Sequence, residues 1–367
     1  MSRLFESTSL NSMTLKNRFV RSATWEGMAA EDGSCTPQLR DLMAQLAQGD
    51  VGLIISSYSY VLPEGKVRIG QLGIYKDEHI SGLREITQDA HRYGSRIAVQ
   101  LVHGGVFSDA AFTGRIPLGP SHVPNLVESP HEEMSIAYIE GVVEAFGQAA
   151  RRAKEAGFDA LQIHGAHGYL HSQFLSPAFN RRTDAYGGSL ENRARVLLET
   201  LKAIRASVGP DFPVLIKMNC LDFLDGGLAL EESLQVGDLL ERQGIDAIEL
   251  SGGTTISGKL GPVRSGVKTE KQEAYFRAEA KAFKERVQVP LMLVGGIRSF
   301  QTAEQLIEEG YADYISMSRP FVREPDLVKR WGSGDRRKAR CISDSRCRDA
   351  AFSGEGIYCA VEQKKGV

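Results

Sequence analysis

The sequence predicts a (β/α)8 barrel, or TIM barrel, with a short N-terminal cap and a C-terminal tail. Eight short apolar runs recur along its 367 residues, each followed by a stretch of helical pattern. These runs are apolar on both faces, as in parallel strands that are covered by helices. No G-x-G-x-x-G motif follows the first run, which weakens the alternative of a doubly wound sheet.

The eight apolar runs give the predicted strands in chain order. Helical patterns follow the first three of them at residues 37–48, 77–93 and 131–156. We find no linker that would divide the chain, so residues 1–335 are predicted to form the barrel and residues 336–367 the tail. Residues before Asn17 are expected to close the barrel bottom. The predicted strands are residues 19–24, 51–57, 96–102, 158–163, 213–219, 246–250, 290–294 and 312–317.

Composition and charge exclude several classes of protein. The 44 basic and 46 acidic side chains give a formal net charge of −2, which argues against a dedicated nucleic-acid binder. No run approaches the roughly 20 apolar residues that a membrane span needs, so no membrane partner is expected. Five cysteines do not form a secreted disulfide framework, and the N-terminus lacks the apolar stretch of a signal peptide. The expected compartment is the cytoplasm.

The segment from residue 163 to residue 193 carries the strongest chemical signal. In barrels of this kind the chemistry lies at the C-terminal ends of the strands, and His164 stands at the end of the fourth. His167 and Tyr169 follow in a turn that contains glycine. Such donors around one point can polarise a carbonyl oxygen, and the phenol can supply a proton. The alternative is a zinc site that uses His164, His167 and His171.

The ends of the seventh and eighth strands form a second group of residues. Loops at these two positions commonly hold a phosphate in such barrels. Glycine lets backbone N–H groups approach phosphate oxygens, and arginine supplies a bidentate charge. The residues that would do this are Gly295, Gly296, Ser318 and Arg319.

Two further side chains stand at strand ends. Lys217, after the fifth strand, leaves three roles open: a Schiff base, a fixed positive charge against an anion, or a buried salt bridge. Gln100, after the third strand, offers a donor and an acceptor in one plane, which suits the edge of a heterocycle.

The predicted tail contains a degenerate cysteine motif. It reads Cys341-x-x-Asp344-x-x-Cys347, with Cys359 further on. A cysteine at position 344 would indicate a metal or iron–sulfur site, but Asp344 breaks that pattern. Three thiols with one carboxylate could still bind zinc; we predict no metal. The basic run within residues 329–340 is either a solvated face or an edge for contacts in a homo-oligomer.

Residues 17–325 resemble the Old Yellow Enzyme family of flavin-dependent NAD(P)H oxidoreductases. The most specific match is the stretch HGAHGYL…FLSP…N-R-R-T-D-x-Y-G-G-S-x-E-N-R. Supporting matches are Asn17-Arg18, Val99-Gln100-Leu101 and the Asp-Gly-Gly turn at 225–227. The two-histidine version is nearest, as in the bacterial ene-reductases and the barrel of 2,4-dienoyl-CoA reductase.

The resemblance implies an FMN across the barrel mouth, with NADH or NADPH as co-substrate. It places Lys217 near N1 and O2 of the flavin, where a cation stabilises the reduced form, and this favours the fixed charge over the Schiff base. The remaining flavin contacts that it implies come from Ser22, Ala23, Thr24, Tyr58 and Gln100, with the phosphate on Gly295, Gly296, Ser318 and Arg319.

The resemblance also implies the reaction: reduction of the C=C bond of a small-molecule enone. His164 and His167 would bind the substrate carbonyl, and Tyr169 would be the proton donor. Trp25 stands where many members carry Thr, Cys or His, so it would border and narrow the substrate pocket. The alternatives are a Schiff-base lyase that uses Lys217, a zinc hydrolase that uses the histidines, and a flavin-binding protein with little ene-reductase activity.

Overall fold

The chain forms a closed barrel of eight parallel strands, so the predicted fold is confirmed. The computed structural model describes residues 2–363, and the last four residues of the predicted tail lie outside this range. Each strand pairs with its neighbours in the chain, and the eighth pairs with the first to close the barrel. The strands are β1 (Phe19–Arg21), β2 (Leu53–Tyr60), β3 (Arg96–Val102), β4 (Ala160–Gly165), β5 (Val214–Asn219), β6 (Ala247–Ser251), β7 (Leu291–Leu293) and β8 (Tyr314–Met317).

Helices cover the outside of the barrel. The first has the predicted bounds because Thr36 caps its N-terminus through the Leu39 N–H and Pro37 occupies its first turn. The bounds are α1 (Pro37–Gln48), α2 (His79–Arg92), α3 (Ile136–Glu155), α4 (Leu190–Val208), α5 (Leu230–Arg242), α6 (Arg277–Arg286), α7 (Phe300–Glu308), α8 (Arg319–Arg323) and α9 (Leu327–Gly332), with α10 (Cys347–Phe352) and α11 (Ala360–Gln363) in the tail.

Shorter elements fill the loops. Helix α3 begins at Ile136 rather than at residue 131, because the Ser135 side chain accepts the Tyr138 N–H at 3.2 Å and caps it there. No helix within residues 2–363 has both the length and the apolar character to cross a membrane. The short helices are Ala110–Thr113 and Leu170–Leu175, the paired short strands are Leu118–Gly119 and Glu132–Glu133, and the 3-10 turns are Arg3–Phe5, Pro63–Gly65, Gly105–Phe107, Gly258–Leu260 and Glu270–Gln272.

The N-terminal residues close the bottom of the barrel, as predicted. Strands Thr8–Leu10 and Met13–Leu15 form an antiparallel hairpin. Its buried side chains pack against the residues that fill the barrel interior. The apolar residues of this layer include Leu10, Met13, Leu15, Val20, Leu53, Ala98, Leu215 and Met292.

The first two strands end at residues other than those predicted. Strand β1 stops at Arg21 instead of residue 24, and the Arg21 guanidinium binds the buried Glu26 carboxylate, five residues further on, at 2.5 Å. Strand β2 continues to Tyr60 through a shift in register after Ile55. Residues 22–25 therefore leave the barrel wall and face its mouth.

The tail packs against the barrel mouth. Cys347, Ala351 and Ile357 form a buried apolar cluster, which contacts Trp25 and Met28 of the segment after β1. The described part of the tail is therefore available to line a site at this end of the barrel.

An aromatic cluster joins α9 to the outside of the barrel strands. The Trp331 ring is 1% exposed and lies 5.6 Å from the rings of both Phe19 and Phe300. Its indole N–H donates to the Arg337 carbonyl at 3.0 Å. The Trp331 side chain is therefore both packed and hydrogen-bonded.

Trp331→Ala is expected to lower the free energy of unfolding by about 3–5 kcal/mol, the usual cost of emptying a buried aromatic site. Urea denaturation followed by circular dichroism measures this change. The matched control is Ile116→Ala, since Ile116 is 52% exposed and its truncation should change stability by less than about 0.5 kcal/mol. Equal losses in the two variants would contradict the role given to Trp331.

Candidate active site

A cavity of about 360 Å³ opens at the C-terminal ends of the barrel strands. Every residue predicted for the site lines it except Gly295, which is buried beside Gly296. The predicted residues in its wall are Ser22, Ala23, Thr24, Trp25, Tyr58, Gln100, His164, His167, Tyr169, Lys217, Gly296, Ser318 and Arg319.

The two predicted imidazoles and the phenol converge at one place in this cavity. The His164 ring lies 5.1 Å from the His167 ring and 4.9 Å from the Tyr169 ring, measured between centroids. The Tyr58 ring packs against the Tyr169 ring, with their centroids 5.6 Å apart. The Ala166 N–H donates to Nδ1 of His164 at 3.4 Å, so the neutral ring carries its proton on Nε2.

His167 is held in an uncommon backbone conformation. Its φ is 65°, in the left-handed region that non-glycine residues seldom adopt. Asn219 accepts the His167 N–H at 3.1 Å, and Ser251 Oγ is hydrogen-bonded to Nε2 at 2.7 Å. Gly168 follows with φ of 80°, and a Cβ there would lie 3.1 Å from Phe107 and Thr254. Asn219 and Ser251 were not foreseen as supports, although both stand at strand ends.

Burial controls the protonation of this group. It lowers the pKa of His164 well below the usual value, helped by the charges of His167 and Lys217, and it does the same to His167 with help from Lys217. Burial raises the pKa of Tyr169. At neutral pH both imidazoles are therefore uncharged and carry one N–H each, and the phenol keeps its proton. On His167 this N–H is Nδ1–H, available to the cavity, when Ser251 donates to Nε2.

The third histidine of the alternative zinc site, His171, has a different hydrogen-bond partner. His171 is hydrogen-bonded through Nε2 to Thr200 of α4 at 3.0 Å, away from the other two imidazoles. In the described part of the chain no group of three or more His, Cys, Asp or Glu side chains is placed to hold a metal ion. The geometry therefore favours hydrogen-bond donation by His164 and His167.

Lys217 lies on the floor of the cavity with its charge compensated. Its Nζ donates to Ser22 Oγ at 2.8 Å and is 3.2 Å from Glu249 Oε2. Burial lowers the pKa of Lys217. Burial alone would raise the pKa of Glu249, but the Lys217 charge and hydrogen bonds lower it on balance. This pairing favours a fixed positive charge over a free amine that forms a Schiff base. Glu249 was not foreseen, although its charge interrupts a predicted strand.

A chain of amides runs from Glu249 to the cavity wall. Gln162 donates its Nε2 to Glu249 at 2.8 Å, and Gln100 donates its Nε2 to Gln162 Oε1 at 2.6 Å. Ser316 donates to the other Glu249 oxygen at 2.6 Å. Gln100 therefore has its own carbonyl oxygen left to accept a hydrogen bond from the cavity.

The opposite end of the cavity is suited to an anion. The Arg319 guanidinium donates to Ser345 Oγ at 2.9 Å, and within residues 2–363 no carboxylate pairs with it. Ser318 Oγ and Thr24 Oγ1 are hydrogen-bonded at 2.7 Å. Gly296 has φ of 73°, and a Cβ there would lie 2.9 Å from the Tyr275 ring.

Trp25 and the tail form the remaining wall. The Trp25 indole N–H donates to the Ile69 carbonyl at 3.0 Å, and its ring meets the Phe352 ring edge-on at 4.9 Å. Phe352 and Arg348 of α10 line the same cavity. The sequence showed no signal for this contribution of the tail.

The degenerate cysteine motif lies beside this wall. Cys341, Asp344, Cys347 and Cys359 line a second cavity of only about 10 Å³. All three cysteines are free thiols, and burial raises the pKa of Cys347 to about 11. The four side chains of the motif therefore border one small cavity in the described part of the tail.

A sequence profile of known proteins matches residues 3–337, and it describes the NADH:flavin oxidoreductase / NADH oxidase family. The chain belongs to this family. The predicted resemblance to the Old Yellow Enzymes is thereby confirmed, and the predicted enzyme class, FMN cofactor and NAD(P)H co-substrate are those of the family.

Individual relatives are between about a quarter and just over a third identical to the chain over the aligned residues. It is 34% identical to an NADH oxidase of Thermoanaerobacter brockii over 98% of its own length and 58% of that protein. It is 36% identical to an NADPH dehydrogenase of Bacillus pumilus, over 89% of the chain and 93% of that protein. A structure of 2-naphthoyl-CoA reductase with 2-naphthoyl-CoA superimposes with a TM-score of 0.90 at 27% identity, over 97% of the chain and 56% of that structure. The chain thus spans little more than half of two of these relatives.

The donor set of the cavity fits the family's FMN. Gln100 presents an amide acceptor, Lys217 a buried cation and Arg319 a guanidinium without a carboxylate partner among the described residues, in one cavity of a size usual for cofactor sites. An acceptor and a cation suit the polar edge of the flavin, and a guanidinium suits its phosphate.

Buried imidazoles should make the protein acid-sensitive. Burial lowers the pKa of His103 to about 4 and that of His171 to about 3, whereas both titrate near 6.5 in the unfolded chain. Between these values the unfolded state binds more protons, so the free energy of unfolding should fall as the pH drops below about 6.5. Urea denaturation at several pH values measures the slope. His171→Asn should reduce it by up to about 1.4 kcal/mol per pH unit, and an unchanged slope would contradict the assignment.

Proposed function

We propose that the protein takes hydride from NAD(P)H and reduces the C=C bond of an α,β-unsaturated carbonyl compound. The observation that carries this proposal is the convergence of His164, His167 and Tyr169 in the cavity that fits FMN. Two neutral N–H donors and one protonated phenol are the groups that such a reduction needs around its acceptor.

The cavity residues would hold FMN, which when bound accepts hydride from NAD(P)H and passes it to the acceptor. Lys217 would hold a positive charge at the polar edge of the flavin, kept in place by Ser22 and Glu249. Gln100 would accept a hydrogen bond from the pyrimidine edge. The other proposed contacts are Ala23, Thr24 and Tyr58 for the ring and Gly295, Gly296, Ser318 and Arg319 for the phosphate.

The chain's own residues would activate and protonate the acceptor. His164 and His167 donate hydrogen bonds to its carbonyl oxygen, which makes the β-carbon electrophilic. Tyr169 delivers its proton to the α-carbon. Its raised pKa makes it a weak acid, and a strong base forms at that carbon as hydride arrives at its neighbour. NAD(P)H and the acceptor use the same cavity in turn, so no second nucleotide site is required.

Two considerations bear on the choice of acceptor. The reductase that superimposes on this chain is in complex with 2-naphthoyl-CoA, a conjugated carbonyl compound, and this supports an acceptor of the same chemical type. A flavin-binding protein with little ene-reductase activity is the competing proposal, since Trp25 and Phe352 together narrow the cavity. The two proposals differ in whether reduced enzyme is reoxidised by an enone.

Tyr169→Phe tests the catalytic assignment. In stopped-flow experiments the variant should be reduced by NAD(P)H at the normal rate, because no proton from Tyr169 is needed in that half-reaction. Its reoxidation by methyl acetylacrylate should be about a hundredfold slower, the usual effect of losing a general acid.

The matched control for this experiment is Tyr93→Phe, at a tyrosine that is 39% exposed and outside the cavity. It should leave both half-reactions unchanged. Equal losses in both half-reactions of the Tyr169 variant would overturn the role as proton donor. Wild-type enzyme that is reduced by NAD(P)H but not reoxidised by the enone would support the flavin-binding alternative.

Arg319→Gln tests the placement of the phosphate. The apoprotein should bind FMN about tenfold or more weakly in this variant, because a charge-assisted hydrogen bond to phosphate is lost. Riboflavin, which has no phosphate, should bind wild type and variant alike. Fluorescence quenching of the two flavins measures both affinities, and an equal loss for FMN and riboflavin would place the phosphate elsewhere.

A further inference from the structure

Two arginines stand in the wall of the cavity without a carboxylate partner. Arg68 comes from the loop after β2, and Arg348 comes from α10 in the tail. Across residues 2–363 neither guanidinium makes an ion pair or a hydrogen bond to a side chain or carbonyl group. Arginine carries five donors, so both groups have their hydrogen-bonding capacity available.

Both guanidiniums are oriented by the same aromatic ring. The central carbon of Arg68 lies 5.4 Å from the centroid of the Phe352 ring, and that of Arg348 lies 5.5 Å from it. Stacking of this kind fixes the guanidinium plane and leaves its N–H edge free. Phe352 in turn contacts Trp25, so the pair is anchored to the segment after β1.

The two charges lie on the acceptor side of the cavity, because Phe352 contacts Trp25 and Trp25 packs against the buried cluster that contains Tyr169. Both of them act to lower the pKa of Tyr169, against the larger effect of burial, so their fields reach the phenol. Arg319, the cation suited to the flavin phosphate, acts instead to lower the pKa of Tyr275. The arginine pair is thus near the group that meets the acceptor and distinct from the phosphate end.

We propose that Arg68 and Arg348 form a binding site for a carboxylate, and that the preferred electron acceptor is an enone that carries one. This inference rests on the proposed function. Planar guanidiniums match a carboxylate through paired N–H···O bonds, and the edge left free by stacking on Phe352 provides them. His164 and His167 would hold the carbonyl end of the same molecule.

The test compares a carboxylate ligand with its methyl ester, in which the added methyl group removes the negative charge. Levulinate and methyl levulinate are the reduced forms of acetylacrylate and its methyl ester, and calorimetry measures their binding to oxidised holoenzyme without turnover. We expect wild type to bind levulinate about tenfold more tightly than the ester, as one charge-assisted hydrogen bond allows. Arg68→Gln and Arg348→Gln should each remove most of this preference and leave ester binding within about twofold.

Arg346→Gln is the matched control, since Arg346 is an exposed arginine two positions away that does not line the cavity. It should keep the preference for levulinate. Stopped-flow reoxidation with acetylacrylate and its ester should show the same pattern. The flavin spectrum of each variant verifies that the cofactor is retained.

Three results would decide whether Arg68 and Arg348 form a carboxylate site. Equal weakening of both ligands in the arginine variants would overturn the carboxylate site. A loss of NAD(P)H affinity alone, with levulinate binding intact, would also overturn it and assign the pair to the dinucleotide phosphates. If levulinate binding depends on the pair but reduced enzyme reduces neither acetylacrylate nor its ester, the carboxylate site stands and the proposed ene-reductase function fails.

Discussion

The buried charge of Lys217 is the constraint on which the site depends. An isolated ammonium inside a barrel costs several kcal/mol, so Glu249 must face it from the next strand. The Glu249 carboxylate then needs further donors, and Ser316 and Gln162 supply them. The side-chain carbonyl of Gln162 accepts a hydrogen bond from Gln100, and this bond fixes the orientation of the Gln100 amide. One cation therefore orders the polar side chains of most of the barrel strands.

The same cation also sets the chemistry at the neighbouring histidines. Together with burial it lowers the pKa of both His164 and His167, so a protonated imidazole beside it is unfavourable. Neutral imidazoles keep one N–H each, which is the form that donates to a carbonyl oxygen. A positive charge that excludes other cations from the site also stabilises a negative one. The Lys217 charge that would suit a reduced flavin thus also keeps His164 and His167 as neutral hydrogen-bond donors.

Local and non-local features of this fold differ in how far the sequence reveals them. Strand periodicity is local, so the eight strands and the residues at their ends, His164 and Lys217 among them, could be predicted. Partners on other elements could not. Glu249 meets Lys217 only when β5 and β6 pair in the observed register, and Asn219 accepts the His167 N–H because His167 adopts a left-handed backbone. The ion pair of Arg21 with Glu26 likewise joins the last residue of β1 to a residue outside the strand.

The tail shows how chemistry and selectivity are divided along this chain. The family profile ends at residue 337, and it contains the two histidines, the tyrosine and the buried cation. Phe352 and Arg348 lie beyond it, yet they line the same cavity. A barrel can conserve its reaction while its wall changes, because the reacting groups stand on rigid strand ends and the wall is carried by loops and termini. Phe352 meets Trp25 edge-on and lies beside both Arg68 and Arg348, so in the proposed site the tail would act on the choice of acceptor without touching Lys217 or Gln100.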